Sequence, residues 1–289
     1  AILRHLWETA PVKRTQRVRN ADMEDWREEE ILITVRAYPE PSERYIETSC
    51  VAGITRDGRI FRLHPIPDRL LASENRFRKY DVLRLRVKRS EDPRPESHRV
   101  DLDHGFPQVR HIGTKNAWAE RNRWVEPFRA RSIEELKVDD VRISRSLALI
   151  RPRKIDRLEI KPKESDDWQE KQRAKLSRIS FVMPERVEPL EFIPYRFSYH
   201  FQCDDDRCRG HRMSIVDWEV AQSYRKWRED YEEKWEEKFR QKYEEQLLKK
   251  DLQFFVGTMM KHPKSWIIIG LYYPPRQSKV PNIQLPLIT

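Results

Sequence analysis

Glycine is scarce in this 289-residue chain, with 7 in all. Phosphate-cradling loops need two or more glycines within a few residues, because only glycine lets the backbone approach the phosphates closely enough. No such motif occurs, so P-loop and dinucleotide-binding chemistry is excluded. Cysteine is equally sparse at 3, too few for a disulfide framework. That count predicts a reducing, cytoplasmic setting. No apolar run approaches the length needed to span a bilayer; the longest, Trp266 to Tyr273, has the length of a strand. The first residues lack the apolar stretch of a secretory signal. A membrane partner is therefore not expected. The G-x-S-x-G and H-E-x-x-H motifs are also missing.

Charge and aromatics are abundant. Charged residues make up 37% of the chain, with 58 Lys+Arg against 48 Asp+Glu and a net charge of +10. The 9 Trp, 10 Tyr and 11 Phe can bury enough surface to offset the entropy of folding. A basic balance favours polyanions, since Lys and Arg release counterions from phosphate backbones.

The apolar pattern is that of strands. Ile31, Ile33 and Val35 alternate with Leu32, Thr34 and Arg36, the two-residue period of a sheet. Arg56-Asp57-Gly58 between apolar runs predicts a hairpin with positive φ at its turn residues. In Tyr80 to Lys88, Leu83, Leu85 and Val87 share one face, while Arg84, Arg86 and Lys88 share the other. Ser132 with Glu135 fits a capping box. The expected fold is α+β: an N-terminal curved antiparallel β-sheet or small barrel, then a zinc-knuckle hairpin, a long charged helix over 217–250 and a closing β-hairpin. The expected divisions are a basic leader (1–28), a β-rich body (29–161), a charged linker (162–178) and a C-terminal region (179–289).

One local pattern carries chemistry. His200, Cys203, Cys208 and His211 follow H-x2-C-x4-C-x2-H spacing. Thiolates and imidazoles at such spacing can converge on a tetrahedral Zn2+, and Gly210 permits a tight bend. Cys203, Cys208 and His211 fit best. Strand alternation would place His200 on the polar face with Arg196 and Ser198, leaving Asp204, Asp206, Cys50 or water to complete the sphere.

A stripe of Trp227, Tyr231, Trp235, Phe239, Tyr243 and Leu247 recurs every four residues, flanked by the i,i+4 pairs Asp230–Lys234, Glu236–Arg240 and Glu245–Lys249. It predicts an exposed helix with a buried seam, or else a coiled-coil arm.

The candidate nucleic-acid surface comprises Arg62, Arg84, Arg86, Lys88, Arg94, Arg121 and Arg123, interleaved with Trp118 and Trp124. Guanidinium groups grip phosphates and indoles stack on bases. The leading expectation is a DNA- or RNA-binding protein with a structural zinc, serving as accessory subunit of a larger prokaryotic nucleoprotein or defence complex. A metal-dependent nuclease is the alternative, using Glu159-Ile160-Lys161 with Asp139 and Asp140, or a zinc-bound water with Glu219 as base. Against the second of these, Asp217 would simply cap the following helix. A third reading is an interaction scaffold built on the aromatic helix.

Overall fold

A computed structural model describes residues 25–41, 47–64, 66, 71, 76–137, 145–163, 191–260 and 262–276. The expected basic run Lys13–Arg19, the pair Asp139 and Asp140, and most of the expected linker lie outside the described residues.

The N-terminal strands are β1 (Arg27–Arg36), β2 (Glu40–Pro41), β3 (Glu47–Thr48), β4 (Val51–Thr55), β5 (Ile60–Leu63), β6 (Asp81–Arg89), β7 (Ser97–Val100) and β8 (Gln108–His111). Five of them close a barrel in the order β1-β4-β5-β7-β6 and back to β1, with β8 added beside β6. Closure leaves no free edge among these five. Ile31, Ile33, Phe61, Leu63, Leu83, Leu85, Val87 and Val100 fill the interior. The period-two alternation of β6 is realised: its leucines and valine are buried, and Arg84, Arg86 and Lys88 point outward.

In β1 the alternation fails at one point. The register shifts between Ile33 and Val35, so a bulge at Thr34 puts Val35 on the same side as Leu32. Both then pack outside the barrel, beside Leu147, Leu149, Phe255, Ile269 and Tyr272 of the second sheet. A β-bulge opposes two residues to one and re-aims the side chains beyond it. In the β4–β5 turn only Gly58 takes positive φ, at 88°. Gly58 N donates to Thr55 O at 3.0 Å. The turn is thus a type I turn closed by a glycine bulge, and not the expected pair of left-handed residues.

The helix α1 (Lys115–Val125) and a 3-10 turn (Glu126–Phe128) lead to the second sheet. Its strands are β9 (Arg129–Ala130), β10 (Leu147–Ile150), β11 (Lys154–Pro162), β12 (Tyr195–Gln202), β13 (His211–Ile215), β14 (Gln253–Thr258) and β15 (Trp266–Tyr272), in the order β11-β12-β13-β15-β14-β10-β9. The change of sheet therefore falls between β8 and β9, and β10 and β11 pair with C-terminal strands. The short helix α2 (Ile133–Lys137) follows β9.

One face of this sheet is covered by helices. Asp217 caps α3 (Trp218–Tyr231), its side chain accepting from Glu219 N and Val220 N. The expected continuous helix breaks at Glu232, whose φ is 47°, and resumes as α4 (Trp235–Arg240) before a π turn over Gln241–Gln246. The aromatic stripe is consumed inside: Tyr224 meets Trp235 at 4.8 Å, Phe197 stacks on Phe239 at 4.3 Å, and Tyr199 donates to Tyr243 O at 2.7 Å. Tyr231, at the break, stays exposed. Of the expected ion pairs, Glu236–Arg240 forms at 2.8 Å, whereas Asp230 lies at the helix end and pairs with Lys226 at 3.0 Å.

Barrel and sheet are pinned together by a buried ion pair. Lys79 Nζ donates to Asp217 Oδ2 and Glu219 Oε2, each at 3.2 Å, and to Leu271 O at 3.3 Å. Among the described residues no helix is long and apolar enough to cross a membrane.

Candidate metal centre and cationic sheet face

The loop between β12 and β13 brings three of the expected ligands together. Gly210 takes a φ of 94° there, a left-handed bend that favours glycine. Cys208 Sγ lies 3.4 Å from His211 Nε2 and accepts from Cys203 N at 3.2 Å and Gly210 N at 3.4 Å. Backbone N–H groups aimed at sulfur suit an anionic ligand.

The fourth donor is Glu134, from the first turn of α2. Its Oε1 is 3.0 Å from His211 Nε2, and its Oε2 is buried with no hydrogen-bond partner among the described residues. Donor atoms of Glu134, Cys203, Cys208 and His211 all lie within 4.8 Å of one another. A tetrahedral zinc sphere has ligand–ligand edges of about 3.3–3.8 Å, so the closest pairs already stand at or inside that spacing.

His200 is not in the group. Phe201 points into the core, so its neighbour His200 emerges on the opposite face of β12. There its Nε2 sits 3.5 Å from Glu159 Oε1. The expectation that His200 ligates is corrected on that ground. Nothing in the sequence marks Glu134, since acidic residues in a first helical turn are common.

Second contacts lock this arrangement. Ser132 Oγ accepts from Glu135 N at 2.9 Å and donates to Asp205 Oδ2 at 2.7 Å. Glu135 reaches back to Arg131 N at 2.7 Å, so the expected capping pair forms one residue early on its acidic side. Arg207 grips Asp205 through two nitrogens, and with Ser132 it holds that carboxyl well below the usual carboxylate range. Burial pushes the Cys203 thiol up to about 12.

The expected nucleic-acid set does not form one surface. Arg62 is buried and donates to Cys50 Sγ at 3.0 Å and Ser146 O at 2.9 Å. Arg121 is buried too, its guanidinium 3.6 Å from the Tyr80 ring centre. Arg94 is clamped on Asp92 and reaches Thr258 O at 2.9 Å. Arg84 pairs with Glu30 at 2.9 Å and Arg86 with Asp101 at 3.3 Å. Lys88 lies 5.1 Å from the Trp26 ring. Trp118 packs edge-on against Tyr272, and Trp124 packs against the core between barrel and sheet. Arg123 alone of the set is exposed without an ion pair to a described residue.

A different cationic surface exists. The barrel covers the second sheet near β10, β14 and β15. On β11, β12 and β13 the same face carries Arg157, Glu159, Lys161, Arg196, Ser198, His200, Arg212 and Ser214, while Leu158, Phe197, Tyr199, Phe201, Met213 and Ile215 fill the core behind. Arg157, Lys161, Arg196 and Arg212 are all exposed. Glu159 is the one carboxylate among these residues, 3.1 Å from Lys161 and 2.5 Å from Arg212. Burial raises its pKa, but the bonds from Arg212 and Lys161 prevail and hold it at about 2.

These features define a class: an α+β protein in which a five-strand barrel packs on a sheet bearing a cluster of metal donors. Residues 129–286 match the family described as Domain of unknown function (DUF8757), and the chain belongs to that family. Residues 27–127 match Domain of unknown function (DUF8758). The two matches meet where the first sheet gives way to the second. Neither a curated protein nor a solved structure matches the chain.

Proposed function

We propose that this protein binds nucleic acid through the open face of β11, β12 and β13, with one Zn2+ stapling the sheet behind it. The observation that carries this reading is the segregation of charge on that face. Among the described residues, exposed Arg157, Lys161, Arg196 and Arg212 surround one acid there, Glu159, while Asp156 at the β11 bulge pairs with Lys154. The strand pairing sets these cations at fixed spacing along the sheet, which favours a polyphosphate backbone over isolated small anions.

Zinc is the metal that the donors favour. Two thiolates, an imidazole and a carboxylate make a closed four-donor set, and soft sulfur disfavours Mg2+ and Ca2+. The site joins α2 to the β12–β13 loop, so its role is structural. Reduced zinc thiolates also fit a cytoplasmic protein. Membership of a larger prokaryotic nucleoprotein or defence assembly is part of the proposal, and Tyr231 at the helix break offers that assembly an exposed aromatic contact.

The nuclease alternative is weaker on this geometry. Glu159 is engaged by both Lys161 and Arg212, and it lies outside the metal-donor cluster. Asp217 is taken up by the α3 cap and Lys79.

The test combines metal analysis with fluorescence binding to single- and double-stranded DNA and RNA at two salt concentrations. One zinc per chain and a steep salt dependence without turnover are expected. Mg2+-dependent cleavage of the labelled strand would favour the nuclease, and absence of binding to all four ligands would remove the reading.

A further inference from the structure

Glu159 is the acid at the centre of the open face, and its position carries an inference that rests on the nucleic-acid reading of that face. Glu159 is flanked along β11 by Arg157 and Lys161. Across the ladder its partner is Ser198, with Arg196 and His200 on either side; Arg212 and Ser214 lie beyond on β13. Glu159 Oε1 lies 3.1 Å from Lys161 Nζ and 3.5 Å from His200 Nε2, and Oε2 lies 2.5 Å from Arg212 Nε. Its side chain is only 13% exposed, so the carboxylate sits down among the cations. Ser198, 1% exposed and directly opposite it, has a hydroxyl with no hydrogen-bond partner among the described residues. Among the described residues Arg157 meets only the His200 ring, at 3.4 Å, and Arg196 makes no ion pair.

One carboxylate thus sits among four cations and pairs with two of them, Lys161 and Arg212. A carboxylate offers two oxygens and one charge. A phosphate group offers more oxygens in a tetrahedral array, which guanidinium forks bind in pairs. We propose that Glu159 occupies the seat of a ligand phosphate. A backbone or terminal phosphate of the nucleic acid enters among Arg157, Lys161, Arg196, His200 and Arg212, turns Glu159 outward and gives the Ser198 hydroxyl an acceptor. Until then Glu159 keeps the cations pointed at the seat, and its displacement sets the affinity. Weakly accepting anions do not dislodge it, so the face discriminates by charge density.

The experiment compares Glu159→Gln with Asp156→Asn. Both remove one negative charge from β11, but Asp156 pairs with Lys154, at 2.8 Å, and not with the cations around the seat. Inorganic pyrophosphate is titrated while the backbone amide resonances of Ser198, His200 and Arg212 are followed. Glu159→Gln should bind about tenfold more tightly than the unaltered protein, the worth of one charged hydrogen-bonding group. Asp156→Asn should shift little, and adding Ser198→Ala to Glu159→Gln should reverse part of the gain. Equal gains from the two single variants, or shifts confined to other residues, would overturn the seat. Glu159→Ala repeats the measurement should the amide itself refill the site. The same proteins are then titrated with labelled single-stranded RNA. Tight pyrophosphate without RNA binding would keep the seat and remove the nucleic-acid reading; RNA binding indifferent to Glu159 would do the reverse.

Discussion

Glu134 and His200 exchange the parts that spacing alone would assign them. His200 lies beside the β12–β13 loop in sequence, yet strand alternation turns it to the open face. Glu134 lies far upstream, yet α2 delivers its carboxylate to His211. Metal content therefore separates them. Glu134→Ala should weaken zinc binding at least about tenfold, a conservative figure for a ligand given what outer contacts alone are worth. His200→Ala should retain one zinc per chain. Retention by both, measured by metal analysis after dialysis against a weak chelator, would place the ion elsewhere.

Cys203, Cys208 and His211 are legible because their chemistry is packed into one short loop. Glu134 is not, because an acid in a first helical turn carries no mark of a distant partner. Glu159 makes a further prediction at this scale. Its folded pKa of about 2 lies below the ordinary value of 4.5. A depressed carboxyl contributes stability above its unfolded pKa and loses that contribution as pH falls through its folded pKa. Glu159→Gln should therefore be less stable than the unaltered protein at neutral pH. The gap should close between about pH 4.5 and pH 2, and a constant gap across that range in chemical unfolding would contradict the ion-pair account.

Among the elements, β6 is legible throughout because its alternation is unbroken, and strand side chains must point to opposite faces. β1 departs from its expected pattern at one residue because a bulge leaves no compositional trace. The aromatic stripe is legible as a buried seam but not as two helices. The break at Glu232 lets α4 turn its aromatics onto the same strands that α3 covers, and the sequence carries no proline or glycine to announce it. The barrel itself is sensitive at Gly53. A Cβ there would lie 2.4 Å from Leu32 O and 2.5 Å from an Ile31 methyl. Gly53→Ala should cost about 1–3 kcal/mol or more in urea unfolding, as overpacking of a rigid strand pair does. The latch between barrel and sheet is sharper still. Lys79→Ala leaves Asp217 buried without its cation, and breaking a buried pair from one side costs about 3–5 kcal/mol. A change below about 1 kcal/mol would show that the two parts do not depend on the latch.

Over the whole molecule, a net charge of +10 signals a basic surface but does not say where it lies. The arginines near the barrel look like a patch in sequence because pairing with carboxylates and burial under aromatics are tertiary facts. The residues on β11, β12 and β13 do not read as one patch there, because β11 shows cations mixed with acids while β12 and β13 add one arginine each. Pairing places them side by side, while the barrel covers the sheet elsewhere and leaves that wing open. The same pairing explains why the division between the two sheets falls well before the charged run at 162–178. Strands β10 and β11 look like a continuation of the barrel but pair with strands that come later.

The measurement that bears most directly on this account is the salt dependence of single-strand binding for two matched triple variants. One replaces Arg157, Lys161 and Arg196 with Gln; the other replaces Arg84, Arg86 and Lys88. Each lost phosphate contact flattens the plot of log affinity against log salt by about 0.7. The sheet variant should therefore lose about 2 in slope, with the barrel variant close to the unaltered protein. An unchanged slope in the sheet variant, or a collapse confined to the barrel variant, would contradict the assignment of the open sheet face.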